Sequence, residues 1–368
     1  MILKFKPRHL CAAMAFGLAS LPLAVAAQTT PPGAETDWRR ANDAVGQLKR
    51  GHADALKWEQ ANVPLPAAQD LGAAGLKLLT VEDVTRQAWL NHRDLAPVLA
   101  RLGTANVSLV STGRWEEVDP SLQRRVDGMD EVLAVAVQAR KAWLQALAAR
   151  QVLAQHQAIL DAADAASELG QRMVNVGNWS ALQLARVQLV QSSAQMNLKR
   201  AQYAAIQAQT SLIKTLGLFG KVTTVVLPES LSELPPQLAL VEAWPQKALA
   251  IQAQLPGAEG VRNQANITMA LAAYQASHAL AKGSRDGLLK KREFISEETV
   301  LRYNGMLSSV WDVLDEARNQ SQAEIDVIHA QRDFGIAETD LQWVLQGGEP
   351  DSFVSLGGSG EAAAPAAH

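Results

Sequence analysis

Asp312 and Asp315 carry the sharpest chemical hypothesis in this sequence. They lie in the run Val310-Trp311-Asp312-Val313-Leu314-Asp315, a spacing of i and i+3 that places both carboxylates on one face of a helix. Two carboxylates so placed attract cations and repel each other. The alternative is a solvated face on which Asp315 pairs with Arg318 one turn further on; the residues alone leave both open. The other reactive groups are dispersed. Seven histidines run from His9 to His368 without a His-x-x-x-His or Ser/His/Asp grouping. Single histidines such as His156 and His329 therefore read as helix-surface or seam residues, and His52 has no His or Met at ligand spacing nearby. The seven methionines never cluster, which excludes a thioether copper site. No Gly-rich phosphate loop occurs. The chain reads as a non-enzyme with no metal site and no cofactor.

The acidic pair needs a helix to hold it. Asn304-Gly305 suits a chain that takes positive φ and ends a helix, and Ser308 or Ser309 can cap the helix that follows. Arg302–Gln320 thus reads as the tip of a helical hairpin. A weaker copy lies upstream at Val174–Gln188, with Asn175-Val176-Gly177-Asn178-Trp179-Ser180 at its turn. The tip glycines, Gly177 and Gly305, stand 128 residues apart. Beyond them Ala201-Gln202 matches Ala330-Gln331, and Leu212 and Leu216 match Leu341 and Leu345, all at a spacing of 129. One long-hairpin unit is duplicated.

Composition fits such a unit. Of the 368 residues 48% are hydrophobic but only 5% aromatic, so Ala, Leu, Val and Gln must fill close helix–helix contacts rather than a sheet core. A formal charge of −3 excludes a basic nucleic-acid surface. The segment from Ser121 to Val176 carries two offset seams. One is Leu122, Val126, Met129, Leu133, Ala136, Trp143 and Leu147; the other is Val132, Val135, Ala139, Ala142, Ala146, Ala149 and Leu153. Two seams on one helix mean helical neighbours on both sides. After the first tip, Leu184, Val187, Ala194, Leu198, Ala201, Ala205, Ala208 and Leu212 form another stripe. A closed α-barrel and an ordinary coiled coil or bundle both satisfy this periodicity.

Residues 1–27 read as a secretory signal: Lys4, Lys6 and Arg8, an apolar stretch from Leu10 to Leu23, and small residues around Ala24-Val25-Ala26. Cys11, the single cysteine, lies inside that stretch, so the mature chain has no thiol for disulfide or metal chemistry. Residues 28–79 form an N-terminal strap and linker. Thr80 is an N-cap with Asp83 at the third helical position, opening a helix from Val81 towards Leu102 that Pro97 kinks or interrupts. Val107–Trp115 reads as a short β-like run. The first helical repeat occupies 80–217 and a Pro-rich connector 218–262. The second repeat, 263–347, is expected to break at Gly283-Ser284, and 348–368 reads as a disordered tail.

A tip of the form Asn-Gly-x-x-Ser-x-Val-x-Asp-Val-Leu-Asp, duplicated at this spacing, resembles the TolC family of outer membrane efflux proteins, with Arg302–Gln320 similar to tips of members linked to heavy-metal resistance. The resemblance covers most of Thr80–Gly347. It implies a mainly all-α fold of duplicated long antiparallel hairpins, an α-barrel protomer with a small mixed equatorial region. The membrane strands expected of the family are missing. Alternating runs of about 9–11 residues are needed to span a bilayer; Val107–Trp115 and Val222–Leu227 are too few to supply them, and the second is a plain apolar run. By the same resemblance the chain forms a homo-trimer in the outer membrane facing the periplasm, serving a periplasmic membrane-fusion adaptor and an inner-membrane pump. Gly177, Asn178, Trp179, Ser180 and Leu182, with Gly305, Met306, Leu307, Ser308, Ser309 and Val310, become the adaptor-docking tips. Asp312 and Asp315 become rings of carboxylates at the pore constriction. Packing of the tips within the trimer is the alternative use of their apolar residues. Two further readings are a barrel-less periplasmic scaffold or regulator of such a pump, and a periplasmic coiled-coil protein without transport.

Overall fold

The computed structural model describes residues 76–119, 121–222, 224–238 and 257–356. The signal, most of the strap, part of the connector and the end of the tail lie outside them. The chain enters through a two-residue strand, β1 (Leu76–Lys77), which pairs in parallel with β2 (Val225–Val226), Leu76 facing Val225. This small sheet sits where the connector was expected to carry mixed structure.

Thr80 caps α1 (Val81–Asn91) as its sequence implied: its hydroxyl accepts the Asp83 N–H at 3.1 Å while the Asp83 carboxylate accepts the Thr80 N–H at 2.9 Å. Of the kink or interruption expected at Pro97, the structure shows the interruption. The helix stops at Asn91, a 3-10 turn follows at Arg93–Leu95, and Pro97 lies in the first turn of a new helix, α2 (Ala96–Thr112), where its missing N–H costs nothing. Val107–Trp115 is not β-like: it is the end of α2 running into a 3-10 turn at Trp115–Glu117. The reason is Trp115, which is fully buried and donates its indole N–H to the Val110 carbonyl at 2.8 Å. Burying one large aromatic with its donor satisfied outweighs the β preference of two valines. Trp89 and Trp143 repeat the device, donating to the Val132 and Leu78 carbonyls. These elements form a helical head that packs into two apolar cores shared with the long helices, one with residues 129–137 and one with residues 139–148 and 212–218.

A short α3 (Leu122–Arg125) ends before Gly128, which takes positive φ, so the long helix α4 (Met129–Asn175) begins later than Ser121. Its 47 residues span about 70 Å. It returns through α5 (Ala181–Thr215). The second hairpin descends through α6 (Gly257–Lys282) and α7 (Lys290–Asn304) and returns as α8 (Val310–Leu345). The expected break at Gly283-Ser284 is corrected: a π-helical stretch, Gly283–Leu289, keeps α6 and α7 in one rod.

The neighbours are ordered α5, α4, α8, then α6 with α7. Each central helix packs on both sides, as the two seams of α4 required. The halves of the duplication meet at α4 and α8, where Gly335 lets the backbone come close: a Cβ there would stand 3.0 Å from Leu144 Cδ1. Arg140 crosses the same contact to Glu338 (2.8 Å) and Gln342 (2.9 Å), and Lys141 pairs with buried Asp340. The equivalent leucines Leu212 and Leu341 are both fully buried, yet in separate cores. In the second core Tyr274 stacks on Phe334 with ring centroids 5.2 Å apart, and burial pushes its hydroxyl up to about 12. The first part of the expected tail belongs to this packing, since Phe353 and Val354 lie against the cores.

Candidate functional site

Both hairpin tips close with the same hydrogen bonds. At the first, the Gly177 N–H donates to the Val174 carbonyl at 2.9 Å and the Asn178 N–H to the Met173 carbonyl at 2.9 Å. At the second, the Met306 N–H donates to Tyr303 at 3.0 Å and the Leu307 N–H to Arg302 at 2.8 Å. This is a Schellman ending, whose residue after the cap takes the left-handed conformation. In the first tip that residue is Gly177, φ 77°; in the second it is Met306, φ 59°, while Gly305 holds the cap position at φ −82°. The expectation of positive φ at Gly305 is therefore corrected. A Cβ on Gly305 would meet nothing nearer than 3.5 Å, so a side chain is tolerated there. Met306 is matched to Gly177 and Ser309 to Ser180, both 129 residues on (306 − 177 and 309 − 180). The offset of 128 between the glycines reflects a glycine displaced by one position, not a shifted repeat.

The helices that leave the tips start alike. Ser180 and Ser309 are N-caps in reciprocal capping boxes with Gln183 and Asp312. Asp312 is thereby committed locally. Its Oδ2 accepts from the Ser309 N–H, the Ser309 hydroxyl and the Ser308 hydroxyl, each at 2.8 Å. These bonds, the backbone one foremost, hold its carboxyl below the usual carboxylate range. Asp315 is 67% exposed and pairs with Arg318 at 3.3 Å. Val313 and Glu316, each next in sequence to one of the aspartates, face inward, and Glu316 accepts from Arg292 of α7 at 3.3 Å. That acidic residue, which no motif singles out, ties α7 to α8.

Met306 and Leu307 project from the second tip, 94% and 80% exposed. Val176 and Leu182 are the exposed apolar residues of the first, beside exposed Asn178. Trp179 is different. It is half-buried and stacks on Trp311 of α8, with centroids 4.3 Å apart and planes at 26°. For Trp179, packing inside the chain is what the structure shows. Ser308 and Val310 are half-buried alongside.

The two outer members of the array carry apolar stripes on exposed positions. On α5 these are Leu182, Leu189, Met196 and Tyr203, seven residues apart, with Ile206 beside them. On α6 and α7 they include Val261, Met269, Leu280, Phe294 and Leu301. Sequence reasoning followed the buried stripe of α5 and missed this one, although its seven-residue period is legible. His156 is half-buried and His329 exposed, and partial desolvation pushes the pKa of each imidazole down. Among the described residues no group of His, Cys, Asp and Glu is arranged to hold a metal ion, and no helix is long and apolar enough to cross a membrane.

No family model matches the chain, and no curated protein matches its sequence. Solved structures do match its fold. A crystal structure of CusC, from work on the conformational changes accompanying folding and transmembrane channel formation, aligns with a TM-score of 0.50 at 14% identity, covering 73% of this chain and 96% of that one. A membrane protein from Pseudomonas aeruginosa aligns at 0.47 and 14% identity, covering 65% and 74%. The open state of the Neisseria gonorrhoeae MtrE outer membrane channel aligns at 0.40 and 17%, covering 66% and 72%. Of these three, the shared fold rests on CusC.

Proposed function

We propose that this chain, which has the fold of the TolC-type outer membrane channels, is the outer-membrane-factor component of a tripartite efflux system. Three copies associate, the tips receive a periplasmic membrane-fusion adaptor, and substrate delivered by an inner-membrane pump passes along the helical duct. The observation that carries the reading is the second tip. Met306 and Leu307 stand almost wholly exposed at the end of a hairpin whose turn is fully hydrogen-bonded without them. Apolar side chains held on a rigid end form a contact surface for another molecule. The stripes on α5 and on α6 with α7 support self-association, because among the described residues each outer helix has packed neighbours on one side only. A cyclic trimer would lay one stripe against the other. Asp315, and Asp312 beyond its capping bonds, would then supply carboxylates near the tip end of the duct. Heavy-metal ions are the substrate class suggested by the resemblance of Arg302–Gln320.

One observation favours a second reading, the periplasmic scaffold without a barrel. The stretch between α2 and α4, where a strand hairpin would leave the helices, is a short path built around buried Trp115 and Val118. Capture of the adaptor tests the docking role common to both. Met306→Asp with Leu307→Asp puts charge into an apolar contact and should abolish capture while leaving helicity intact. Asp315→Ala should spare capture and change ion passage only. Undiminished capture by the double variant removes the docking role. Wash-off from membranes without detergent favours the scaffold over the channel.

A further inference from the structure

The two outer edges of the array carry opposite charges at matching places. On α5 the exposed Leu182 and Leu189 stand seven residues apart, and on α7 Phe294 and Leu301 do the same. Arg186 lies four residues after Leu182 and three before Leu189; it is exposed, and α5 contains no Asp or Glu. Glu298 holds the same place on α7, four after Phe294 and three before Leu301, and is exposed as well. Among the described residues neither Arg186 nor Glu298 forms an ion pair within the chain. Contacts across the array fix the relative height of these edges. Gln191 of α5 donates to Asp164 of α4 at 2.8 Å, Glu324 of α8 accepts from Gln155 of α4, and Arg292 of α7 donates to Glu316 of α8 at 3.3 Å. Neighbouring helices run antiparallel with the same rise per residue. Counting from those contacts carries the height of Arg186 across α4 and α8 to Glu298, and that of Leu189 to within one residue of Phe294.

We infer that Arg186 of one copy and Glu298 of the next form the charge pair that sets the register in which copies of this chain join edge to edge. In that register α5 lies antiparallel against the neighbour's α7, with Leu189 opposite Phe294 and Leu182 opposite Leu301. A rotation about a ring axis leaves height unchanged, so edges that are level within one copy are level where two copies meet. In an antiparallel pair, residues holding the same place relative to their stripes fall on one flank, which brings the guanidinium to the carboxylate. The apolar stripes alone do not choose this register, because a slip of seven residues lays leucine against leucine again. The charges do choose. Such a slip in one direction sets Arg186 against exposed Lys291, and in the other carries it past the end of α7 at Asn304; like charges facing across an interface count against the wrong pairing. The inference rests on the reading that copies associate and adds which residues decide how.

The test reads register by cross-linking and association by mass. In a Cys11→Ser background, Leu189→Cys and Phe294→Cys are placed in one chain, where they lie on opposite edges. Copper-catalysed oxidation should link copies into covalent dimers and trimers, because facing positions bring the Cα atoms within disulfide reach of about 4–7 Å. Leu189→Cys with Leu301→Cys, displaced by one slip or about 10 Å, should not link. By light scattering over a dilution series, Arg186→Glu and Glu298→Arg should each weaken association roughly tenfold, and the two together should return it to within about threefold of the parent. Helicity by circular dichroism should stay the same throughout. Association of the parent chain without the Leu189–Phe294 link, or a double reversal no better than the single ones, overturns the register and leaves association standing. A single chain in buffer and in detergent overturns both. Should a reversal lose helicity, the cysteine pair decides.

Discussion

Lys141→Met probes the contact on which the duplicated architecture depends. Asp340 of α8 has a side chain 1% exposed, and the Lys141 ammonium of α4 is the partner the structure gives it. The substitution keeps the length of the lysine stem and removes its charge, leaving a carboxylate buried between the two halves. Breaking a buried pair on one side costs about 3–5 kcal/mol. Because Lys141 is itself 22% exposed, water reaches the site and the lower figure, about 3 kcal/mol, applies. The cost should depend on pH in a defined direction. Burial is the leading influence on Asp340 and holds its carboxyl above the ordinary value, with Lys141 drawing it part of the way back. A carboxyl whose folded pKa lies above its unfolded value destabilises the fold while ionised, and that cost vanishes as pH falls through the folded pKa. Removing Lys141 raises the folded pKa further, so the penalty should be largest at neutral and alkaline pH and shrink on acidification. Urea unfolding followed by circular dichroism at several pH values measures it. Lys141→Met with Asp340→Asn should recover most of the loss. A penalty below about 1 kcal/mol, or one that does not change with pH, would refute the assignment of Asp340 as a buried charge held by Lys141.

Three other expectations follow from the tips. Met306→Gly relieves a left-handed backbone that costs a side-chain-bearing residue about 1–2 kcal/mol; thermal melting should show the variant at least as stable as the parent, and a marked loss would contradict the turn. Ser180→Ala should cost about 1 kcal/mol through loss of the N-cap, read by the same melting experiment. The two caps should also respond differently to acid. The Asp312 carboxyl is held below its usual range, so its contribution is present above the unfolded value and lost as pH falls through the folded one. Gln183, its counterpart, carries no charge. Amide-exchange protection, corrected for intrinsic rates, should therefore fall with acid at the first turn of α8 but not of α5; equal behaviour would count against the Asp312 box.

Much of this was legible because helix ends are written in local chemistry. The serines and their partners three residues on mark both restarts, and the seams of α4 announce two neighbours. The misreadings have physical causes. Gly305 attracted the positive φ that belongs to Met306, because glycine is merely the cheapest residue in that conformation, and the turn's hydrogen bonds fix which position adopts it. Val107–Trp115 looks strand-like from its β-branched residues, whereas the burial of Trp115 favours helix and depends on elements far along the chain. Gly283-Ser284 suggested a break, but a π-helical stretch absorbs it with the rod intact. The stripe from Leu182 to Tyr203 has a clear period; the sequence does not tell which of two seams on α5 is filled by its own chain. The stack of Trp179 on Trp311 joins residues whose proximity only the folded duplication creates.

The claim on which the functional reading turns is that those exposed stripes meet between copies. The native mass of the purified mature chain, measured by light scattering in buffer and in detergent at micromolar concentration, tests it most directly. The account predicts a mass of three chains, reduced to one by Leu189→Glu with Met196→Glu while helicity is unchanged. A monodisperse single chain in both media would contradict it.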